Sequence, residues 1–160
     1  MTRSDLASPG SERAFDFINP VLLAAGGLLF LSFGYTEMAG SDMWWHLAAG
    51  RELLQTGSPW MVDDWSYSAH GGDWLNHEWL ADIVYYCWVS AFGLTSLVYW
   101  KWLVVVTTFL LLQVSLYKQT GNTFAALIGA SIAAAIAAPF IDVRPHLYTL
   151  LLFCLLIYLL

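Results

Sequence analysis

Residues 95–117 form an apolar run whose only charged residue is Lys101. As a helix rising ~1.5 Å per residue this run is about 34 Å long, enough to cross a hydrocarbon core of ~30 Å. In water it would have to be covered on every side. A chain of 160 residues that is 59% hydrophobic and 11% charged has too little polar surface to do so. A soluble domain usually carries about 25% charged residues. Three more apolar stretches accompany the first, at about 18–36, 123–138 and 146–160. The sequence predicts an all-α fold: a polytopic transmembrane helical bundle forming a single membrane domain over residues 1–160.

The same composition closes other classes. There is too much apolar surface for disorder. Six Lys+Arg against twelve Asp+Glu leave no basic footprint for nucleic acid. Cys87 and Cys154 both sit in apolar runs, as buried thiols do, so no disulfide scaffold is expected.

Asn19-Pro20 reads as an N-cap followed by proline at the first helical position. A signal peptide is the competing reading of the first span. The segment before it, however, is long, contains Asp5, Glu12 and Asp16, and lacks net positive charge; no clear A-x-A site follows. An uncleaved anchor fits better. Arg3 and Arg13 precede span one and Lys118 follows span two. Between them lie eight acidic residues (Glu37, Asp42, Glu52, Asp63, Asp64, Asp73, Glu78, Asp82) and one basic residue, Arg51. The positive-inside rule then places the N-terminus in the cytoplasm and the loop at about 37–94 outside. The connection between spans three and four returns to that outer side. The fourth span has about 22 Å of helix and no terminal anchor. It is expected either to continue into a longer protein or to be covered by a membrane-protein partner.

The outer loop is no plain linker. It holds Trp44, Trp45, Trp60, Trp65, Trp74, Trp79 and Trp88, out of nine tryptophans in all. Two helices are expected in it. One covers about 42–56, with Ser41 or Asp42 as cap and Gly57 as the left-handed stop; its Trp-rich face suits a bilayer interface. The other covers about 76–92, with Asn76 as cap and Glu78 and Asp82 in the early turns, where the helix dipole favours acids. Residues 58–75, with Pro59, Asp63-Asp64 and His70-Gly71-Gly72, read as turns. There is no internal repeat, phosphate-binding glycine loop, CxxC pair or HExxH motif.

Each candidate residue has a plain reading and a chemical one. Asp42 either caps its helix or acts as a general base, its carboxylate partly desolvated beside Trp44 and Trp45. Asp42 and His46 stand at i, i+4 and can face one divalent cation, with His70, His77 and Glu78 completing the set; the plain reading of His46 is a satisfied interfacial side chain. Asp63 and Asp64 either bond their own turn or bind sugar hydroxyls or a cation. His77-Glu78 is either a charged first turn or a second acid working with Asp42, with nearby tryptophans stacking on sugar faces. In Asp142-Val143-Arg144-Pro145-His146, Pro145 disfavours helix at Arg144. The Arg144 guanidinium is either a boundary anchor or a planar partner for a lipid phosphate. Lys101, inside a span, is costly unless it snorkels or pairs.

Three stretches carry a resemblance: Asp42-Met43-Trp44-Trp45-His46-Leu47 with the spaced glycines Gly50 and Gly57, Asp63-Asp64-Trp65-Ser66-Tyr67, and Trp74-Leu75-Asn76-His77-Glu78-Trp79-Leu80. With Arg144-Pro145 after span three, they resemble the first outer loop of the GT-C superfamily. These are polytopic glycosyltransferases using polyprenyl-phosphate sugars, such as protein O-mannosyltransferases and lipid A aminoarabinose transferases. The likeness covers about residues 17–160 and is greatest to a bacterial group, which implies a bacterial inner membrane location. It implies that Asp42, just after the first span, is the catalytic base, and it maps Glu78 onto the second acidic motif of the loop. The proline that follows that motif in the aminoarabinose relatives is missing here. It further implies inverting displacement: an acceptor hydroxyl attacks the anomeric carbon and a lipid phosphate leaves, steadied by Arg144 or Arg51. His46, Asp63, Asp64, His77 and His146 are the remaining candidate substrate contacts. Such enzymes usually have eight or more spans, against four here.

The alternative is a non-catalytic membrane subunit that docks in a larger complex through its Trp-rich loop, since aromatic residues favour interfaces. A transporter, with Lys101 and Asp142 as intramembrane charges, would need broken-helix pairs that the spans lack.

Overall fold

The structure, a computed structural model, describes residues 18–35 and 42–160. Arg3, Arg13, Glu37 and Ser41, used above for sidedness and capping, lie outside the described residues. Six helices and one short hairpin follow in chain order: α1 (Pro20–Gly34), α2 (Met43–Thr56), β1 (Trp60–Val62), β2 (Asp73–Leu75), α3 (Trp79–Phe92), α4 (Leu97–Thr120), α5 (Thr123–Ala137) and α6 (His146–Leu159). Single 3₁₀ turns lead into α4 and out of α5. The helical stretches Leu94–Thr120 and Thr123–Phe140 are long and apolar enough to cross a bilayer, whereas α1, α3 and α6 are apolar but shorter.

Local chemistry sets the boundaries. The Asn19 side chain accepts from the Val21 and Leu22 amides, and Pro20 opens α1. Asn122 does the same for α5 through the Phe124 and Ala125 amides. Gly57 and Gly121 end α2 and α4 at φ 68° and 65°, a conformation that a side chain would strain.

Helix α4 is the hub, packed against α1, α5 and α6. The core between them joins Phe30, Val104, Val105, Phe109, Ala130, Ala134, Ile141 and Leu147. Helix α5 presents Ala126, Ala130 and Ala134, all fully buried, at intervals of four. Small side chains let backbones approach closely where apolar attraction alone is weak. Its other face exposes Phe124, Ile128, Ile132 and Ile136. A polar tie also crosses the bundle, as buried Gln113 donates to the Leu22 carbonyl at 3.2 Å.

At one end of the bundle α2 packs on α3. Ala49, Leu53 and Met61 form a small core there with Trp45, Trp74 and Ile83 around it. A further cluster of Met43, Ala81, Tyr85, Leu97 and Val143 joins this pair to the helices below. The region expected as turns contains the β1–β2 hairpin, with Trp60 opposite Leu75 and Val62 opposite Asp73. It was hidden because each strand is only three residues long and the two lie ten residues apart. The helix expected from Asn76 starts at Trp79. Cys154 is buried as expected, but Cys87 is exposed on α3.

Gly50 sets the α2–α3 distance. A Cβ there would lie 2.2 Å from the Asp82 carbonyl oxygen and 2.8 Å from Tyr86 Cβ. Gly50→Ala should therefore lower the thermal midpoint in detergent micelles, at a cost of about 1–3 kcal/mol from overpacking. Helix propensity alone would raise stability by roughly 0.5–1 kcal/mol, so the sign of the shift decides.

Candidate functional site

Asp42 sits at the N-cap position of α2, yet its side chain makes no capping bond. It reaches across the fold instead: Asp42 Oδ2 is 2.9 Å from Arg144 Nη2. Neighbouring side chains explain the meeting. Met43 follows Asp42 and Val143 precedes Arg144, and both are buried in the one cluster that also holds Leu97 and Tyr85. Burying these two apolar anchors brings their charged neighbours together at the rim. The Arg144 turn is itself tightly folded. The Arg144 amide donates to the Asp142 carbonyl at 2.9 Å, and the Val143 amide to the Asp142 carboxylate at 2.7 Å. His146 Nε2 contacts the Phe140 carbonyl, closing the connection.

Arg144 Nε lies 3.5 Å from Asp142 Oδ2, within ion-pair range, but makes no hydrogen bond among the described residues. The side chains of Asp42 and Arg144 are 36% and 42% exposed, so the pair is open to an incoming group. Below them Lys101 is fully buried and feels the charge of Asp142. Being fully buried, it does not snorkel to a surface.

A second polar group lies wholly inside. His46 Nδ1 is 2.6 Å from Asp82 Oδ1, and Asn76 Nδ2 donates to Asp82 Oδ2 at 2.7 Å. All three residues are at most 2% exposed. Facing a carboxylate, Nδ1 carries the imidazole proton; this tautomer is assigned from the hydrogen bond. Asn76 Oδ1 accepts from the Glu78 amide at 2.9 Å, so one side chain orients both the start of α3 and its buried acid. The Tyr85 ring lies edge-on to His46. Burial first, then the nearby Tyr148, Asp82 and Asp142, push the Tyr85 phenol well above its usual range and keep it neutral.

These facts revise the reading of His46. It does not face a ligand at the surface beside Asp42; it turns inward and fastens α2 to α3. Asp82, taken above as a dipole partner, is the buried acid of the fold. An acid in the first turn of a helix is so ordinary that nothing local marks it. The signal available was a second polar residue, His46, on the buried stripe of the facing helix.

The third group is a groove of about 470 Å³ bordered by Trp45, Asp63, Trp65, Ser66, Trp74, His77 and Glu78. Its edge is the hairpin loop, closed by the Asp63 amide to the Gly72 carbonyl at 2.9 Å and the Gly71 amide to the Asp63 carbonyl at 2.8 Å. Asp63 Oδ1 accepts from the Trp65 and Ser66 amides, and Oδ2 from the Ser66 hydroxyl at 2.5 Å. The hydroxyl and amide of Ser66 hold the Asp63 carboxyl below the usual carboxylate range. Asp63 thus does what its plain reading expects, while still facing the groove. Asp64 and His70 are exposed on the same loop, and Arg51 is exposed on α2.

His77 and Glu78 also border a second groove, of about 520 Å³, between α3 and α6. Its other walls are mainly apolar and include Leu80, Val84, Pro145 and Leu152. His77-Glu78 is therefore a ridge with an aromatic groove on one side and an apolar one on the other. Among the described residues no three His, Cys, Asp or Glu side chains converge as a metal site requires. The set imagined around Asp42 and His46 is dispersed, since His46 points inward and His70 sits on the loop.

The buried network yields a stability test. Asp82→Ala strands donors on both His46 and Asn76, and each buried donor left unsatisfied costs about 1–3 kcal/mol. Unfolding of purified protein in micelles should show a loss of that order. A shift of only a few tenths would mean that water already reaches the pair.

Comparison with protein-family models, characterised proteins and solved structures gives no match to this chain.

Proposed function

We propose that the chain is the membrane-embedded catalytic part of a GT-C-like glycosyltransferase in a bacterial inner membrane. In this reading α1, α4, α5 and α6 cross the bilayer, the N-terminus is cytoplasmic, and α2, the hairpin and α3 lie on the outer face. Outward-facing apolar side chains on α5 and α6, such as Ile128, Ile132, Leu152 and Phe153, support burial in lipid. The enzyme moves a sugar from a polyprenyl-phosphate donor to an extracytoplasmic acceptor hydroxyl.

The observation that carries this reading is the 2.9 Å contact between Asp42 and Arg144. Residues 102 positions apart, singled out separately as base and phosphate partner, occupy one place. Arg144 shares its guanidinium between Asp42 and Asp142 at rest and keeps an Nε–H without a hydrogen bond among the described residues. An arriving phosphate takes over the guanidinium and releases Asp42. Asp42 then removes the acceptor proton, and the acceptor oxygen attacks the anomeric carbon. The bond from that carbon to the phosphate oxygen breaks, and the lipid phosphate leaves with the electron pair, held by Arg144. The apolar groove beside Pro145 suits the prenyl chain, and Glu78 at its rim orients the acceptor.

The rival reading, a docking subunit, draws on Trp44 and Trp60, which are 58% and 66% exposed. One experiment separates them. The full-length gene product is reconstituted in proteoliposomes with radiolabelled polyprenyl-phosphate sugars, and transfer to extracted envelope acceptors is followed. Asp42→Asn should slow transfer at least ~100-fold, the usual effect of losing a general base, with its thermal midpoint kept. Arg144→Ala should fail at donor binding as well as at turnover. Undiminished transfer by Asp42→Asn removes the mechanism, and absence of transfer by the wild type favours the subunit.

A further inference from the structure

We propose that the groove framed by Trp45, Trp65 and Trp74, with Asp63 and Glu78 on its walls, is a binding subsite for a neutral pyranose ring. On the glycosyltransfer reading this ring belongs to the acceptor, so the inference deepens that reading and names the acceptor as a saccharide.

The cavity comes first. About 470 Å³ lies within the range of ~300–1,000 Å³ typical of small-molecule sites. Trp45 and Trp65 stand at 66° and 69° to Trp74, with centroids 5.7 and 5.9 Å from it. The three indoles pack on one another edge to face, which makes a stiff aromatic wall rather than three separate side chains. The groove surface is mainly apolar, with polar groups contributed by Asp63, Ser66, His77 and Glu78.

That mixture selects the ligand. A pyranose offers a face of C–H groups to an indole and a ring of hydroxyls to carboxylates, which accept in pairs. Asp63 has three of its lone pairs engaged by Ser66 and Trp65, so it is held in place with one acceptor position left. Two carboxylates and no Lys or Arg line the groove. A phosphate or uronate would therefore meet like charge, which disfavours an anionic lipid headgroup. An alkyl chain would leave the open acceptor positions of Asp63 and Glu78 unfilled. Glu78 also borders the apolar groove between α3 and α6, so a sugar seated against the tryptophans lies beside that groove as well.

The test is a binding titration on the full-length protein in nanodiscs, free of glycoside detergent. Tryptophan fluorescence is followed against glucose, mannose and N-acetylglucosamine trisaccharides, with inorganic phosphate and a glucuronic acid oligomer as anionic probes. A saturable change with at least one neutral trisaccharide, and none with the anions, is expected. Trp65→Ala removes a partly exposed indole from the rim, and Glu78→Gln keeps the shape and removes the charge. Each should weaken binding about tenfold with the thermal midpoint unchanged. No response to any neutral saccharide, equal affinity in Trp65→Ala, or preference for the anions would overturn the proposal. Wild-type protein that binds saccharide but transfers nothing sinks the transferase alone. Wild-type transfer with an acceptor KM unmoved by Trp65→Ala sinks the subsite alone.

Discussion

The dry contact between α2 and α3 is the constraint on which the outer region depends. Gly50 lets the two backbones touch, and the His46–Asp82 hydrogen bond locks their register once they do. Neither would suffice alone. Without the glycine the helices stand too far apart for a 2.6 Å bond; without the bond a close crossing of two short helices has little to stop it sliding. Asn76 extends the lock to the hairpin, because its amide donates to the Pro59 carbonyl at 2.9 Å. Through these few atoms the positions of Asp42, at one end of α2, and of His77-Glu78, just before α3, become properties of a rigid unit.

That unit is fastened to the bundle by apolar groups rather than by its charges. Met43, Tyr85, Leu97 and Val143 share one cluster, and Trp100 and Tyr148 pack against it. The Trp100 indole donates to the Tyr148 hydroxyl at 3.2 Å, tying α4 to α6 under the same cluster. The Asp42–Arg144 contact is a consequence of this burial. Half-exposed ion pairs contribute about 0–1 kcal/mol, too little to dictate where two chain segments meet.

Much of this was legible in the residues, and the reasons are physical. Apolar runs, the Asn-Pro cap and glycines after helices are local signals, so the helices lie close to where the pattern puts them. The hairpin was not legible, because three-residue strands set by a tertiary contact leave almost no periodic trace. In the site, Asp42 and Arg144 could each be singled out from the expected chemistry of their surroundings. Their contact could not, since it depends on where Met43 and Val143 are buried. His46 was visible as a polar residue on a helix, but its direction depends on Asp82, a partner 36 positions away. The aromatic groove assembles from three segments, and only its richness in tryptophan showed beforehand.

Lys101, buried beneath the Asp142–Arg144 turn, alters the electrostatics of everything above it. Counted formally, Lys101 and Arg144 carry two positive charges and Asp42 and Asp142 two negative ones, a sum of zero. The rim is thus an electroneutral quartet and not a cationic trap. Displacing either carboxylate from Arg144 would break that balance at the rim.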